Sequence, residues 1–159
     1  MTSYHRLLDE IVAGESDPPA MVTALGLPRI DGWAPCRVWG TWEVDTVLVG
    51  PGGVFGGYLA AVADSFSGMC MYTVLADGQW LATRELSTRF LLPLRGGRVH
   101  TESTVIRSEG RRTWVDTVFR SEDGTTVCTA QAVQVTTVAN WTGPAAPWRD
   151  RPAPTAGSA

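Results

Sequence analysis

The sequence predicts an α+β fold. One long apolar helix, opened by a cluster of glycines, occupies the middle of the chain. From about residue 80 onward the hydrophobic period shortens from that of a helix to two. Turn residues separate the resulting strands, and a helix followed by hairpin-linked strands gives an antiparallel meander packed on that helix.

Each element has its own signal. Residues 3–14 form a short amphipathic helix in which Leu7, Leu8, Ile11 and Val12 share a face and Gly14 ends the run. Residues 16–34 hold three prolines and two glycines and read as loop, with one helical turn near residues 20–25. Residues 36–49 are β-rich, with Val38, Gly40, Trp42 and Val44 on one face. The run PGGVFGG, residues 51–57, is a breaker cluster before the long helix, which is expected over residues 58–76. Strands are expected over residues 81–92, stopped by Pro93, and over 98–107, 113–120 and 125–138. The connections RGG, SEGR and SEDG supply the turns, Asp123-Gly124 being the strongest hairpin signal. The organisation is therefore an N-terminal helix and loop (1–35), a main domain (36–139) and a Pro-, Ala- and Gly-rich tail (140–159) expected to be disordered.

Composition narrows the function. A chain of 159 residues with 44% hydrophobic and 18% charged residues suits one globular domain, and a net charge of -3 offers no broad basic surface for nucleic acid. Cys36, Cys70 and Cys128 are scattered, with no Cys/His cluster, so neither a disulfide framework nor a metal site is indicated. His5 and His100 are the only histidines and lie in no nucleophile motif. The apolar run 53–76 has the length of a membrane span, but Asp64, its glycines and the lack of positive flanks argue against one. The N-terminus carries His5, Arg6, Asp9 and Glu10 and is no signal peptide, so the expected location is the cytoplasm.

The helix carries the chemistry. On a wheel of about 100° per residue, Leu59, Val62, Phe66, Met69 and Cys70 gather on one side and predict the face packed on the sheet. Gly57, Ala60, Ala61, Asp64 and Gly68 gather opposite. An ordinary solvent face would show Lys, Glu and Gln; this one is small apart from a single carboxylate, so a ligand or a second helix can approach closely. A carboxylate buried there without partners would cost several kcal/mol, on the order of the effective penalty for burying an ion; it is paired or functional. At the helix start, Gly56 and Gly57 leave backbone N–H groups unshielded at the positive end of the dipole, where a developing oxyanion would be stabilised. At about 1.5 Å per residue, Gly56 and Asp64 stand roughly 12 Å apart along the axis. A reacting carbonyl needs donor and carboxylate within about 3–4 Å, so one helix cannot supply both. Two antiparallel copies can, which predicts a homodimer with two interfacial sites.

These residues resemble the hotdog-fold acyl-CoA thioesterases of the phenylacetate-pathway and 4-hydroxybenzoyl-CoA type. That family carries His-Gly-Gly and then an acidic residue nine positions after the His; Phe55-Gly56-Gly57 and Asp64 stand at that spacing. The stretch STRFLLPLRGGRV, residues 87–99, looks like the family's strand with its Pro and Gly turn, and the resemblance covers about residues 36–138. It implies a long central helix wrapped by an antiparallel sheet, and thioester hydrolysis at sites between subunits. Gly56 then matches the residue whose N–H polarises the thioester carbonyl, and Asp64 the nucleophile or general base. Thr83, ten residues before Pro93, matches a Ser or Thr that positions water in similar enzymes. Phe55 departs from the motif: it keeps bulk where the family has a His donor, while the backbone donor is unaffected.

The expected function is hydrolysis of an acyl-CoA or acyl-carrier thioester, with no cofactor beyond the CoA of the substrate. The catalytic residues are Asp64, Gly56 and Thr83; Phe55 and Gly57 border the substrate, and Arg95 and Arg98 are placed to meet CoA phosphates. A homodimer is expected, and pairing of dimers into tetramers is left open. Two rivals stand. A non-catalytic acyl-thioester-binding protein is motivated by Phe55. A dehydratase or hydratase ranks behind it, because that chemistry pairs an acid with a His near the helix start and none is near in sequence.

Overall fold

The computed structural model describes residues 1–138, so the tail expected to be disordered, residues 140–159, lies outside the described residues. Helix α1 (Ser3–Ala13) is closed at both ends by its own sequence. The Thr2 hydroxyl accepts from the His5 N–H while a His5 ring nitrogen accepts from the Thr2 N–H, a capping box with His in the usual Glu place. Gly14 ends the helix at φ 74°. After the short α2 (Ala20–Ala24) come β1 (Gly32–Ala34), β2 (Arg37–Glu43), a 3₁₀ turn (Thr46–Leu48) and a small hairpin of β3 (Val49–Gly50) and β4 (Gly53–Val54). The chain continues through α3 (Gly56–Tyr72), β5 (Gln79–Phe90), β6 (Arg98–Glu109), β7 (Arg112–Ser121) and β8 (Thr126–Val138).

Helix α3 starts two residues earlier and ends four earlier than the sequence pattern predicts. Its end is set by tertiary contacts. The Thr73 hydroxyl donates to the Cys70 carbonyl, the Cys36 N–H donates to the Thr73 hydroxyl, and a His5 ring nitrogen meets the Thr73 carbonyl. Its start is set by the PGGVFGG hairpin. Gly53 takes φ 107°, and a Cβ there would stand 2.8 Å from the Leu94 carbonyl oxygen. The Val54 N–H donates to that same carbonyl and the Phe55 N–H to Leu48, which fixes where the helix begins.

The sheet is antiparallel with strand order β1-β2-β6-β7-β8-β5. This corrects the expected meander. Strands β6, β7 and β8 are consecutive neighbours, but β5 crosses over to pair with β8 and becomes an edge. An alternating pattern says which face of a strand is buried, not which strand lies beside it.

α3 lies across β2, β5, β6, β7 and β8. The predicted packing face is the buried one: Leu59, Val62, Phe66, Met69 and Cys70 are all core, as are Val38, Gly40, Trp42 and Val44 on the β2 side. Gly40 is required by close approach, since a Cβ there would stand 2.6 Å from the Arg29 carbonyl oxygen and 3.0 Å from the Phe66 ring. The inward positions of the sheet include hydroxyls that satisfy one another. Trp42 Nε1 donates to Thr101 at 2.9 Å, and Ser103 and Thr117 share a hydrogen bond of 2.6 Å. Among the described residues no buried side-chain nitrogen or oxygen lacks a partner. Phe66 and Phe119 are the largest fully buried side chains among the described residues. Phe66→Ala is expected to cost about 3–5 kcal/mol, the range for emptying an aromatic core site. Urea unfolding measures it, and a loss under about 1 kcal/mol would contradict this account of the core.

Candidate functional site

The opposite face of α3 stays open. Gly57 and Asp64 are exposed and Gly56, Ala60, Ala61 and Gly68 half-buried. This corrects the expectation of a carboxylate in apolar surroundings: the described residues cover only one side of this helix, and Asp64 is exposed. Its partner is Thr83, whose hydroxyl donates to Asp64 Oδ1 at 2.6 Å. The acid on the helix and the hydroxyl on β5 are thus brought together, although 19 residues separate them in sequence.

The helix start is equally open. Phe55 occupies the N-cap position and makes no side-chain cap. Among the described residues no group accepts a hydrogen bond from the Gly56 N–H. Both glycines seat phenyl rings. A Cβ on Gly57 would stand 2.6 Å from the Phe55 ring, and one on Gly56 2.9 Å from the Phe90 ring. Phe55 is nonetheless 69% exposed and Phe90 54%. With Leu91 and Leu92, also about half exposed, they leave apolar surface uncovered at this end of β5.

β5 accompanies the open face of α3 along its length. Leu81 lies against Gly68, Thr83 against Asp64 and Phe90 against Gly56. Among the described residues no strand lies on its far side. A sheet edge of this kind is a template for another strand.

Beside the helix start is a surface cleft of about 290 Å³ lined by Leu25, Trp42, Glu43, Asp45, Leu48 and Tyr58. The Tyr58 hydroxyl donates to the Gly26 carbonyl at 2.8 Å. Partial burial, and next the charge of Asp45, raise its pKa, so the phenol stays a neutral donor.

The remaining sequence-derived residues stand apart from Asp64. Arg95 donates to the Pro51 carbonyl at 3.1 Å, beside the hairpin that leads into α3. Arg98 pairs with Glu43 at 3.2 Å. His100 meets the Thr41 hydroxyl, and His5 stacks on Trp33; neither is bonded to Asp64. The cysteines supply no nucleophile to this face: burial pushes the Cys70 thiol up to about 12 and Cys128 to about 11, and Cys36 lies in the turn between β1 and β2.

Two neighbours of the acid were missed by sequence reasoning. Gln134 is fully buried on β8, directly opposite Thr83 in the strand register, and Ser67 is fully buried on α3. The available signal was phase: Gln134 continues the inward series Cys128, Ala130, Ala132, where an amide is out of place.

The thioesterase superfamily model matches residues 51–128, from the hairpin before α3 into β8. No curated protein matches the chain significantly. Among solved structures, the chain is similar to a phenylacetic acid degradation-related protein of Ralstonia eutropha JMP134, with 26% identity and a TM-score of 0.70 over 80% of this chain and 98% of that one. It is similar to a thioesterase family protein of Silicibacter pomeroyi, with 22% identity and a TM-score of 0.72 over 86% and 100%. A thioesterase of Haemophilus influenzae aligns with 20% identity and a TM-score of 0.71 over 82% and 90%. The fold shared with them, a long helix against an antiparallel sheet, is the hotdog fold.

Proposed function

We propose that this chain, whose residues 51–128 match the thioesterase superfamily model, is a member of that superfamily and hydrolyses an acyl-CoA or acyl-carrier thioester at sites formed between two copies of itself. One observation carries the reading: an uncapped N–H at Gly56 and the Asp64–Thr83 pair lie on the same uncovered flank of α3. They are roughly 12 Å apart along the helix, too far to serve one carbonyl. A twofold that pairs two β5 edges brings two open α3 faces together and sets each Gly56 near the partner's Asp64. The same packing covers the small stripe and the exposed Phe55, Phe90, Leu91 and Leu92.

In this arrangement the thioester carbonyl accepts from the Gly56 N–H of one protomer, helped by the positive end of the helix. The partner's Asp64 acts in one of two ways. As nucleophile, its carboxylate oxygen bonds the carbonyl carbon, the C–S bond breaks and the thiolate leaves to be protonated by solvent; water then cleaves the anhydride. As base, it takes a proton from the water that attacks the carbonyl carbon, and the thiolate leaves in the same way. Thr83 holds one carboxylate oxygen and, through it, the direction of the other.

Phe55 and Gly57 border the thioester, and the cleft beside Trp42 and Tyr58 offers the acyl group apolar walls. Arg95 and Arg98 are the cations nearest the hairpin and would meet CoA phosphates. The Arg98–Glu43 pair does not oppose this, since an exposed ion pair contributes only about 0–1 kcal/mol. On this reading the reaction needs no resident metal or redox group and takes place in the cytoplasm; no helix among the described residues is long and apolar enough to cross a membrane.

Release of free thiol from a panel of aryl and aliphatic acyl-CoAs and acyl-carrier thioesters tests the reading, with light scattering for the assembly. Turnover by a dimer, or by a tetramer made of two such dimers, is expected. Absence of turnover across the panel overturns it, as does turnover by a monomer. Phe55 motivates a second reading: its ring lies over Gly57 in the family's His position. Tight binding of the same thioesters without thiol release would favour a non-catalytic binding protein.

A further inference from the structure

The mechanism above uses Asp64 and Thr83 and leaves unexplained why a glutamine is fully buried beside them. Gln134 sits on the inward face of β8 with no exposed surface. Its amide spans two elements: one end stands 3.2 Å from the Thr83 hydroxyl on β5, and the other, Nε2, donates to the Ser67 hydroxyl on α3 at 2.9 Å. Ser67 in turn donates to the backbone carbonyl of Asp64 at 2.9 Å. With the 2.6 Å contact from Thr83 to Asp64 Oδ1, these bonds close a ring through strand, neighbouring strand and helix back to one residue. The orientation of the amide follows from proton count: Ser67 gives its one hydroxyl proton to the Asp64 carbonyl, so it must accept from Nε2.

We propose that Gln134 is a positioning residue for Asp64: its amide fixes the Thr83 hydroxyl and the Asp64 turn of α3 relative to each other, which aims the free carboxylate oxygen at the reacting carbonyl. A buried amide is an expensive way to fill space. Its polar ends must both be satisfied, and an apolar side chain of the same shape would be at least as stable. Thr83 needs such support. It stands at an exposed place on an edge strand, immediately before a register irregularity at Thr83/Glu85. Its hydroxyl carries one proton, which is shared between the closer, charged Asp64 Oδ1 at 2.6 Å and Gln134 Oε1 at 3.2 Å. The second acceptor holds that proton between the two and limits rotation about the Thr83 side chain. Gln134 does not touch the substrate; it acts through Thr83 and Ser67.

The inference rests on the Asp64 reading, and the test separates the two. Gln134→Met removes the amide and preserves bulk. It is expected to lower kcat about three- to tenfold, the scale of one lost hydrogen bond, with KM unchanged. Thr83→Val should fall by a similar factor, and the double variant by little more than either alone, because both break the same link. If Gln134→Met folds poorly, Ser67→Ala releases the far end of the amide and should lower kcat in the same sense with KM unchanged. Unchanged kcat in Gln134→Met and Ser67→Ala overturns the inference, as do multiplying effects of Gln134→Met and Thr83→Val. Full activity of Asp64→Ala would instead remove the premise.

Discussion

Asp64→Ala should abolish most thioester hydrolysis without disturbing the fold. A carboxylate acting as general base contributes about 10²–10⁴ in rate, and its loss should lower kcat by that factor. The protein should remain stable, because Asp64 is exposed and among the described residues its side chain bonds only Thr83; surface changes of this kind stay within about ±0.5 kcal/mol. Asp64→Asn sharpens the result. It keeps the shape and the hydrogen bond from Thr83 but supplies neither nucleophile nor base, so it should be as inactive as the alanine variant. Binding of a non-hydrolysable thioester analogue should survive in both, which separates chemistry from assembly of the site. Retention of kcat within about threefold in Asp64→Asn would show that the acid serves only to organise the helix, since such a change is under 1 kcal/mol of barrier. A single turnover in ¹⁸O water tests the nucleophilic role. Label in Asp64 shows that the anhydride formed and was cleaved at the carboxyl carbon of the enzyme, whereas a carboxylate that activates water, like an anhydride cleaved at the acyl carbon, leaves label only in the product acid.

Much of this fold is legible in the sequence because burial phase is written into it. The buried face of α3 follows from the positions of Leu59, Val62, Phe66, Met69 and Cys70, and that of β2 from Val38, Gly40, Trp42 and Val44. What phase does not carry is adjacency. The crossover of β5 to the far side of β8 depends on the connection around Pro93 and Leu94, which is anchored by the Val54 N–H and not by any local signal. The end of α3 is hidden for the same reason, being made by His5 and Cys36 from elsewhere in the chain. At the candidate site, the acid and the helix glycines announce themselves by being odd residues in an apolar pattern. Gln134 does not, because its meaning arises only when Thr83 is set opposite it across the β5–β8 ladder. Asp64 also shows the limit of reasoning from one chain. An apolar helix suggests a buried carboxylate, whereas the sheet buries one face of this helix and leaves Asp64 on the exposed one.

Gly56→Pro isolates the other half of the proposed site, and the backbone is ready for it. Gly56 is the first residue of α3, where proline is favoured because its missing N–H has no intrahelical partner. Phe55 sits at φ -53°, ψ 119°, outside the α region that a following proline disfavours. The atoms nearest a Cβ at Gly56 belong to the Phe90 ring, at 2.9 Å, and that ring is half exposed and able to turn. The substitution therefore deletes one hydrogen-bond donor at small cost to folding. Loss of one oxyanion donor lowers kcat by about 10²–10³, and that range is expected here. Gly56→Pro and Asp64→Ala then allow a test of where the site lies. If donor and carboxylate come from different protomers, a mixed dimer of the two variants contains one site with both halves intact. Random pairing makes half the dimers mixed, with one intact site of two in each, so activity should recover to roughly a quarter of wild type. If both halves belonged to one chain, each mixed dimer would hold two damaged sites and co-expression would restore nothing. Recovery would thus establish the shared site from two variants that are each nearly inactive alone, and its absence in verified mixed dimers would break the link between the open face of α3 and the second copy.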